Sequence, residues 1–171
     1  MKLLKILLVI PILLLSVSSR AETILDAERA VGQVRLGMSE KDFYGLTGIV
    51  PEDCLGICEP EETYAEIDCQ KIPKVCAPVS DVISIEALFW KKRIYYMMIG
   101  FKEISLENAK SHLTRKYGKP LKEGPQGTPA LFIIKWSNER TATSIVYNAK
   151  KRKASTLYLK DLTQKTDGAQ Y

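Results

Sequence analysis

Cysteine, histidine and clustered carboxylates are the side chains most often used for chemistry, and this chain of 171 residues distributes them unevenly. All four cysteines, Cys54, Cys58, Cys69 and Cys76, fall in one segment. A zinc site wants close C-x₂₋₄-C pairs, repeated and often joined by histidine. Only Cys54 and Cys58 approach that spacing, and six residues separate Cys69 from Cys76. The C-x-x-C pair of a dithiol redox site is absent. Structural disulfides are the reading that remains, and an even cysteine count in an exported chain supports it. Four cysteines allow three pairings. A nested pattern, Cys54–Cys76 around Cys58–Cys69, is favoured because it would staple an antiparallel excursion; local pairing of Cys54 with Cys58 and of Cys69 with Cys76 stands beside it.

Other chemistries find little support. A Ser–His–acid or Cys–His hydrolase needs a histidine base, and the one histidine, His112, flanks the apolar stripe of a helix pattern. Neither G-x-S-x-G nor H-E-x-x-H occurs, and no glycine loop is suited to phosphate. Glu59, Glu61, Glu62 and Glu66 form the densest carboxylate group. With Pro60 among them they read as a solvated acidic turn, without the ligand order of a calcium loop. No catalytic residue, metal site or cofactor is therefore expected. The run Lys150, Lys151, Arg152 and Lys153 is a candidate anion-binding patch at a predicted hairpin tip. Among the aromatics on predicted strands, Trp90, Tyr96, Trp136 and Tyr147 are the candidate partner-binding residues, because exposed Tyr, Trp and Met favour protein contacts.

The elements that must carry these residues begin with an export signal. Lys2 and Lys5 precede an uncharged apolar run from Ile6 to Val17, and Ser19 and Ala21 supply small residues at the cleavage positions. Residues 1–21 read as a cleaved signal peptide, residues 22–162 as one α+β domain and residues 163–171 as a loose polar tail. Loss of Lys2, Lys5 and Arg20 takes three charges from the net +5 and leaves +2. So balanced a chain argues against nucleic acid as a partner. No transmembrane segment is expected after cleavage, and the location is periplasmic or secreted.

Beyond the signal, Ser39 caps a short helix carrying Phe43 and Leu46 that stops near Gly48. Ile83, Ile85, Ala87 and Phe89 alternate along one predicted strand, and Tyr95, Met97, Ile99 and Phe101 along the next. Ser105 opens a second helix with Leu106, Ala109, Leu113 and Tyr117 on its buried stripe, ended by Gly118 and Pro120. Three further strands cover Leu131–Trp136, Thr141–Tyr147 and Ala154–Lys160. The expected fold is an antiparallel sheet of about five strands in the order ββαβββ, with helices on one face and a disulfide-stapled loop. No internal repeat is visible.

The stretch Val34-Arg35-Leu36-Gly37-Met38-Ser39-Glu40-Lys41-Asp42-Phe43 resembles the opening of small bacterial envelope proteins: the SmpA/OmlA-type outer-membrane assembly lipoproteins and the related β-lactamase inhibitor protein fold. Phe101 to Pro120, followed by Trp136, resembles uncharacterised proteobacterial periplasmic proteins. The chain departs from the lipoproteins in lacking a lipidated cysteine, and from the inhibitor in reading as a single unit. The resemblance implies a helix-plus-sheet binding module rather than an enzyme. Three functions are expected in order: a non-enzymatic module that binds another envelope protein; an inhibitor of a cell-wall or envelope enzyme, inserting the loop from Cys54 to Glu62; and a binder of an anionic glycolipid or small ligand through Lys150–Lys153. The sequence leaves oligomeric state open.

Overall fold

The structure, a computed structural model, describes residues 23–54, 61–79 and 81–164. The expected signal peptide, Cys58, Glu59 and most of the C-terminal tail lie outside these residues. A 3₁₀ turn (Ile24–Asp26) leads into a two-stranded hairpin, β1 (Ala30–Val31) and β2 (Val34–Arg35). Helix α1 (Glu40–Thr47) is followed by strands β3 (Glu52–Asp53) and β4 (Glu62–Asp68), the short helix α2 (Pro73–Cys76), and strands β5 (Val82–Trp90) and β6 (Arg93–Ser105). Helix α3 (Leu106–Tyr117) then opens the second half, with β7 (Lys122–Gln126), β8 (Thr128–Ser137), β9 (Thr141–Asn148) and β10 (Lys153–Asp161).

Eight strands form one antiparallel sheet in the order β3-β4-β5-β6-β10-β9-β8-β7, beside the separate two-stranded hairpin. The α+β class holds, but the expectation of about five strands is too low. The five expected strands are all present as β5, β6, β8, β9 and β10. Strand β4 and the two-residue β3 lie in the segment read as a disulfide loop, and β7 contains Gly124 and Pro125, which carry no strand signal. Both outer strands are blunted: β3 by its length, β7 by a proline that offers no N–H to a neighbour.

The strand order reveals a repetition that the residues do not. Each half is a helix followed by four strands, α1 with β3 to β6, interrupted by the short α2, and α3 with β7 to β10. The halves join where β6 pairs with β10, so the sheet reads the same outward from that seam. The chain is therefore not a single helix-and-meander unit.

Local chemistry accounts for the helices. The Ser39 hydroxyl accepts the Asp42 amide at 3.1 Å, and Gly48 closes α1 in the left-handed region at φ 72°. The Ser105 hydroxyl accepts the Asn108 amide at the start of α3, and Gly118 ends it at φ 82°. One core lies between the helices and one face of the sheet: Phe43 meets Phe89 edge-on at 5.2 Å, while Leu106, Ala109 and Leu113 join Met97, Ile99, Ile134, Trp136, Ile145, Leu157 and Leu159. Ile83 departs from its expected face. A register shift between Val82 and Ser84 turns Val82 inward and leaves Ile83 43% exposed.

Cys69 is bonded to Cys76, with Cα atoms 5.8 Å apart, which overturns the nested pairing. The reason is distance along β4. The Cys54 amide bonds the Glu62 carbonyl at the start of that strand, whereas Cys69 follows its end. Seven residues of strand place Cys69, and Cys76 beside it, roughly 23 Å from Cys54, so Cys54 cannot reach Cys76 as the nested pattern requires. Cys54 is also disulfide-bonded.

Candidate functional site

The pleat gives every strand two faces, and the helices cover one. The other face carries Tyr64 on β4, Leu88 and Trp90 on β5, Tyr96 and Met98 on β6, and Tyr158 on β10, all half-buried and all at positions alternate to the core residues. Tyr96 and Tyr158 sit on paired strands with ring centroids 5.8 Å apart, and Tyr95 lies 6.3 Å from Tyr96. These rings form a seam over the β6–β10 junction, where the two halves meet.

Charge is divided across the seam. On the β4–β5 arm Glu66 stands directly opposite Glu86, with the Tyr64 hydroxyl 3.4 Å from Glu66. Burial and then the neighbouring charge of Glu66 raise the Glu86 carboxyl above its ordinary range. Burial, joined by both carboxylates, pushes the Tyr64 phenol up to about 12. On the other arm Lys160 of β10 and Lys135 of β8 share the face. Burial, opposed by Glu62 and aided by Lys135, pulls the Lys160 ammonium below its ordinary value. Glu62, read as part of a solvated acidic turn, is instead in β4 and only 4% exposed, accepting the Tyr95 hydroxyl at 2.7 Å. Tyr95 can reach it because the register shifts between Leu88 and Phe89, where Tyr95 is the extra residue.

Of the four aromatic candidates, this face brings together two. Tyr96 lies in the seam. Trp90 lies at its edge, where its indole N–H is buried without a partner among the described residues and Lys91 hangs 5.5 Å over its ring. Trp136 and Tyr147 point the other way, 1% and 7% exposed, as parts of the core. They lie off this face, and the reason is phase: Trp136 shares its side of the strand with Ile134, and Tyr147 with Ile145. The Tyr147 hydroxyl donates to Glu123 at 2.8 Å.

The basic run does occupy the β9–β10 hairpin tip, but half of it is already engaged. Lys151 lies 3.6 Å from Glu103, and Arg152 pairs with Glu107 in the first turn of α3. Lys150 and Lys153 flank these pairs on the exposed tip. His112 is 3.0 Å from Asp26, which also accepts the Thr23 hydroxyl at 2.8 Å, and the contact ties α3 to the 3₁₀ turn. Among the described residues no group of His, Cys, Asp and Glu is placed to hold a metal, and no helix is long and apolar enough to cross a membrane.

The sequence reading missed the acidic arm, the lysine arm and the Glu62–Tyr95 bond. Part of this was accessible: Tyr64 and Glu66 alternate with Ala65 and Ile67, an ordinary half-buried strand pattern. No protein family, no curated protein and no solved structure matches the chain.

Proposed function

We propose that this chain is a non-enzymatic, exported protein-binding module of the bacterial envelope, and that the helix-free sheet face is its contact surface. The observation that supports this reading is the tyrosine seam of Tyr96 and Tyr158, set between the acidic arm of Tyr64, Glu66 and Glu86 and the ammonium groups of Lys135 and Lys160. Tyrosine gives large contact area for little lost side-chain freedom, and divided charge orients a partner of complementary pattern. Like charges directly opposed across strands, as Glu66 and Glu86 are, cost stability; a partner's cation would relieve them.

The test immobilises the chain with its disulfides formed and captures envelope proteins, with a reduced control. Tyr96→Ala is expected to weaken retention of the captured partner by roughly tenfold or more. Glu66→Gln with Glu86→Gln should slow association and flatten its salt dependence. Retention unchanged by Tyr96→Ala combined with Tyr64→Ala would remove this face from the reading.

A further inference from the structure

At the end of the helix-free face farthest from the acidic arm, the sheet opens into a cleft of about 520 Å³. That is the size of an ordinary small-ligand site, typically about 300–1,000 Å³. Two irregularities meet there: a shift in β10 between Ala154 and Thr156, seen against both neighbours, and one in β7 between Pro125 and Gln126. Such bulges re-aim side chains and break an otherwise flat surface.

The lining combines the apolar Leu131 and Val146 and the ring of Tyr158 with the amide of Gln126 and the hydroxyls of Thr128 and Thr156. Val146 is buried but stands apart from the main core, consistent with its place on this face. The Gln126 amide is hydrogen-bonded to the Tyr158 hydroxyl, which fixes both groups beside the cleft. A primary amide carries two donors and an acceptor, so the bond to Tyr158 leaves Gln126 further capacity for a ligand's hydroxyl. Opposite charges, Glu103 and Lys153, border the opening, and Lys151 already lies 3.6 Å from Glu103, so no strong field of one sign selects an ion.

We infer that this cleft binds a hydroxyl-rich sugar ring, free or at the end of a glycan. Hydroxyls donate and accept at once, as do the amide and threonine groups that face them. The carbon face of a ring suits the flat side of Tyr158 and the apolar Val146. A peptide added as a strand fits poorly. Strands β8, β9, β10 and β6 are each paired on both sides, and the edge strand β7 has Pro125 in its middle.

The probes are N-acetylglucosamine, N,N′-diacetylchitobiose and maltose, titrated into the full disulfide-bonded chain while backbone amide signals are followed by NMR. At least one is expected to give saturable shifts confined to Gln126–Thr128 and Ser155–Tyr158. The disaccharide binding more tightly than the monosaccharide would indicate a glycan end, and equal affinities a single ring. Gln126→Leu, which keeps the side-chain size but removes the amide, should weaken binding roughly tenfold. Thr128→Val, at an exposed position, provides a second variant that leaves the fold alone. Absence of saturable shifts with all three probes, or binding unchanged in both variants, overturns the assignment. Neither outcome bears on Tyr96, whose role in protein capture stands or falls separately.

Discussion

Asp161 shows how one residue can fix a chain end. It closes β10, is 2% exposed, and its carboxylate takes both terminal nitrogens of Arg29 as well as the amide and hydroxyl of Thr163, at 2.9 and 2.6 Å. Burial alone would raise its pKa, but the Thr163 and Arg29 hydrogen bonds and the Arg29 charge outweigh it and hold the carboxyl below 3.8. A carboxylate whose folded pKa is depressed contributes stability above its unfolded pKa and loses that contribution as pH falls through the folded value. The chain should therefore lose this contribution as pH falls below the ordinary carboxylate range, and Asp161→Asn should flatten that part of the profile. Urea unfolding at a series of acidic pH values measures both slopes, and identical slopes would contradict the assignment. At neutral pH Asp161→Ala should cost about 2–4 kcal/mol, toward the low side because Arg29 can turn to solvent. The same carboxylate engages the residues that follow β10: Thr163 is bonded to Asp161, and Gln164 reaches the Ile94 carbonyl at 3.3 Å.

Among the elements, the β1–β2 hairpin depends on a helix forty residues away in the chain for its place. Its turn residue Gly32 has φ +57°, and a Cβ there would stand 2.4 Å from the Val75 carbonyl oxygen of α2. Gln33 seals the contact by donating its amide to that oxygen at 2.8 Å and its side chain to the Lys74 carbonyl at 2.9 Å. Since α2 ends in Cys76 and is held by the Cys69 bridge, the hairpin is positioned through the disulfide. Gly32→Ala should cost about 2 kcal/mol or more, because backbone strain and a clash with main-chain atoms add. Opening the bridge with Cys69→Ser and Cys76→Ser should cost about 2–3 kcal/mol by the chain-entropy argument and make Gly32→Ala less damaging, since α2 could then yield. A double-mutant cycle in thermal unfolding reads that coupling; strict additivity would show that the bridge does not hold the hairpin. Legibility in the sequence divides along similar lines. Caps at Ser39 and Ser105 and alternation in the five long strands are local signals, so those elements could be read. Strand β4 was masked by the prolines and cysteines around it, β7 by its Gly-Pro pair, and the cysteine pairing by its dependence on how far β4 carries Cys69 from Cys54. Alternation separates two faces of a strand without saying which one the helices cover. Trp136 and Tyr147 were misplaced for that reason, although their apolar neighbours Ile134 and Ile145 on the same face pointed to the core.

At the scale of the whole molecule, the symmetric strand order raises the question of whether each half can stand alone. Each contains a leading helix and four strands of the sheet, but the core does not divide with them. Helix α3 packs on β6 of the first half as well as on β8 and β10 of its own, and it also meets the N-terminal 3₁₀ turn, with His112 at 3.0 Å from Asp26. Arg29 reaches across to Asp161 at the far end of the chain. Severing the chain between Ser105 and Leu106 would expose β6 and β10, two long central strands with apolar residues on one face, as unprotected edges. Neither half alone should show a cooperative unfolding transition, whereas mixing them at equal concentration should restore the signal of the intact chain, with a midpoint that rises with concentration. Circular dichroism during thermal scans of each half and of the mixture tests this. Independent cooperative transitions in the separate halves would mean that the β6–β10 seam joins two finished units. In that case the tyrosine seam above it would be a boundary surface between domains, and its exposure would follow from their junction rather than from a partner.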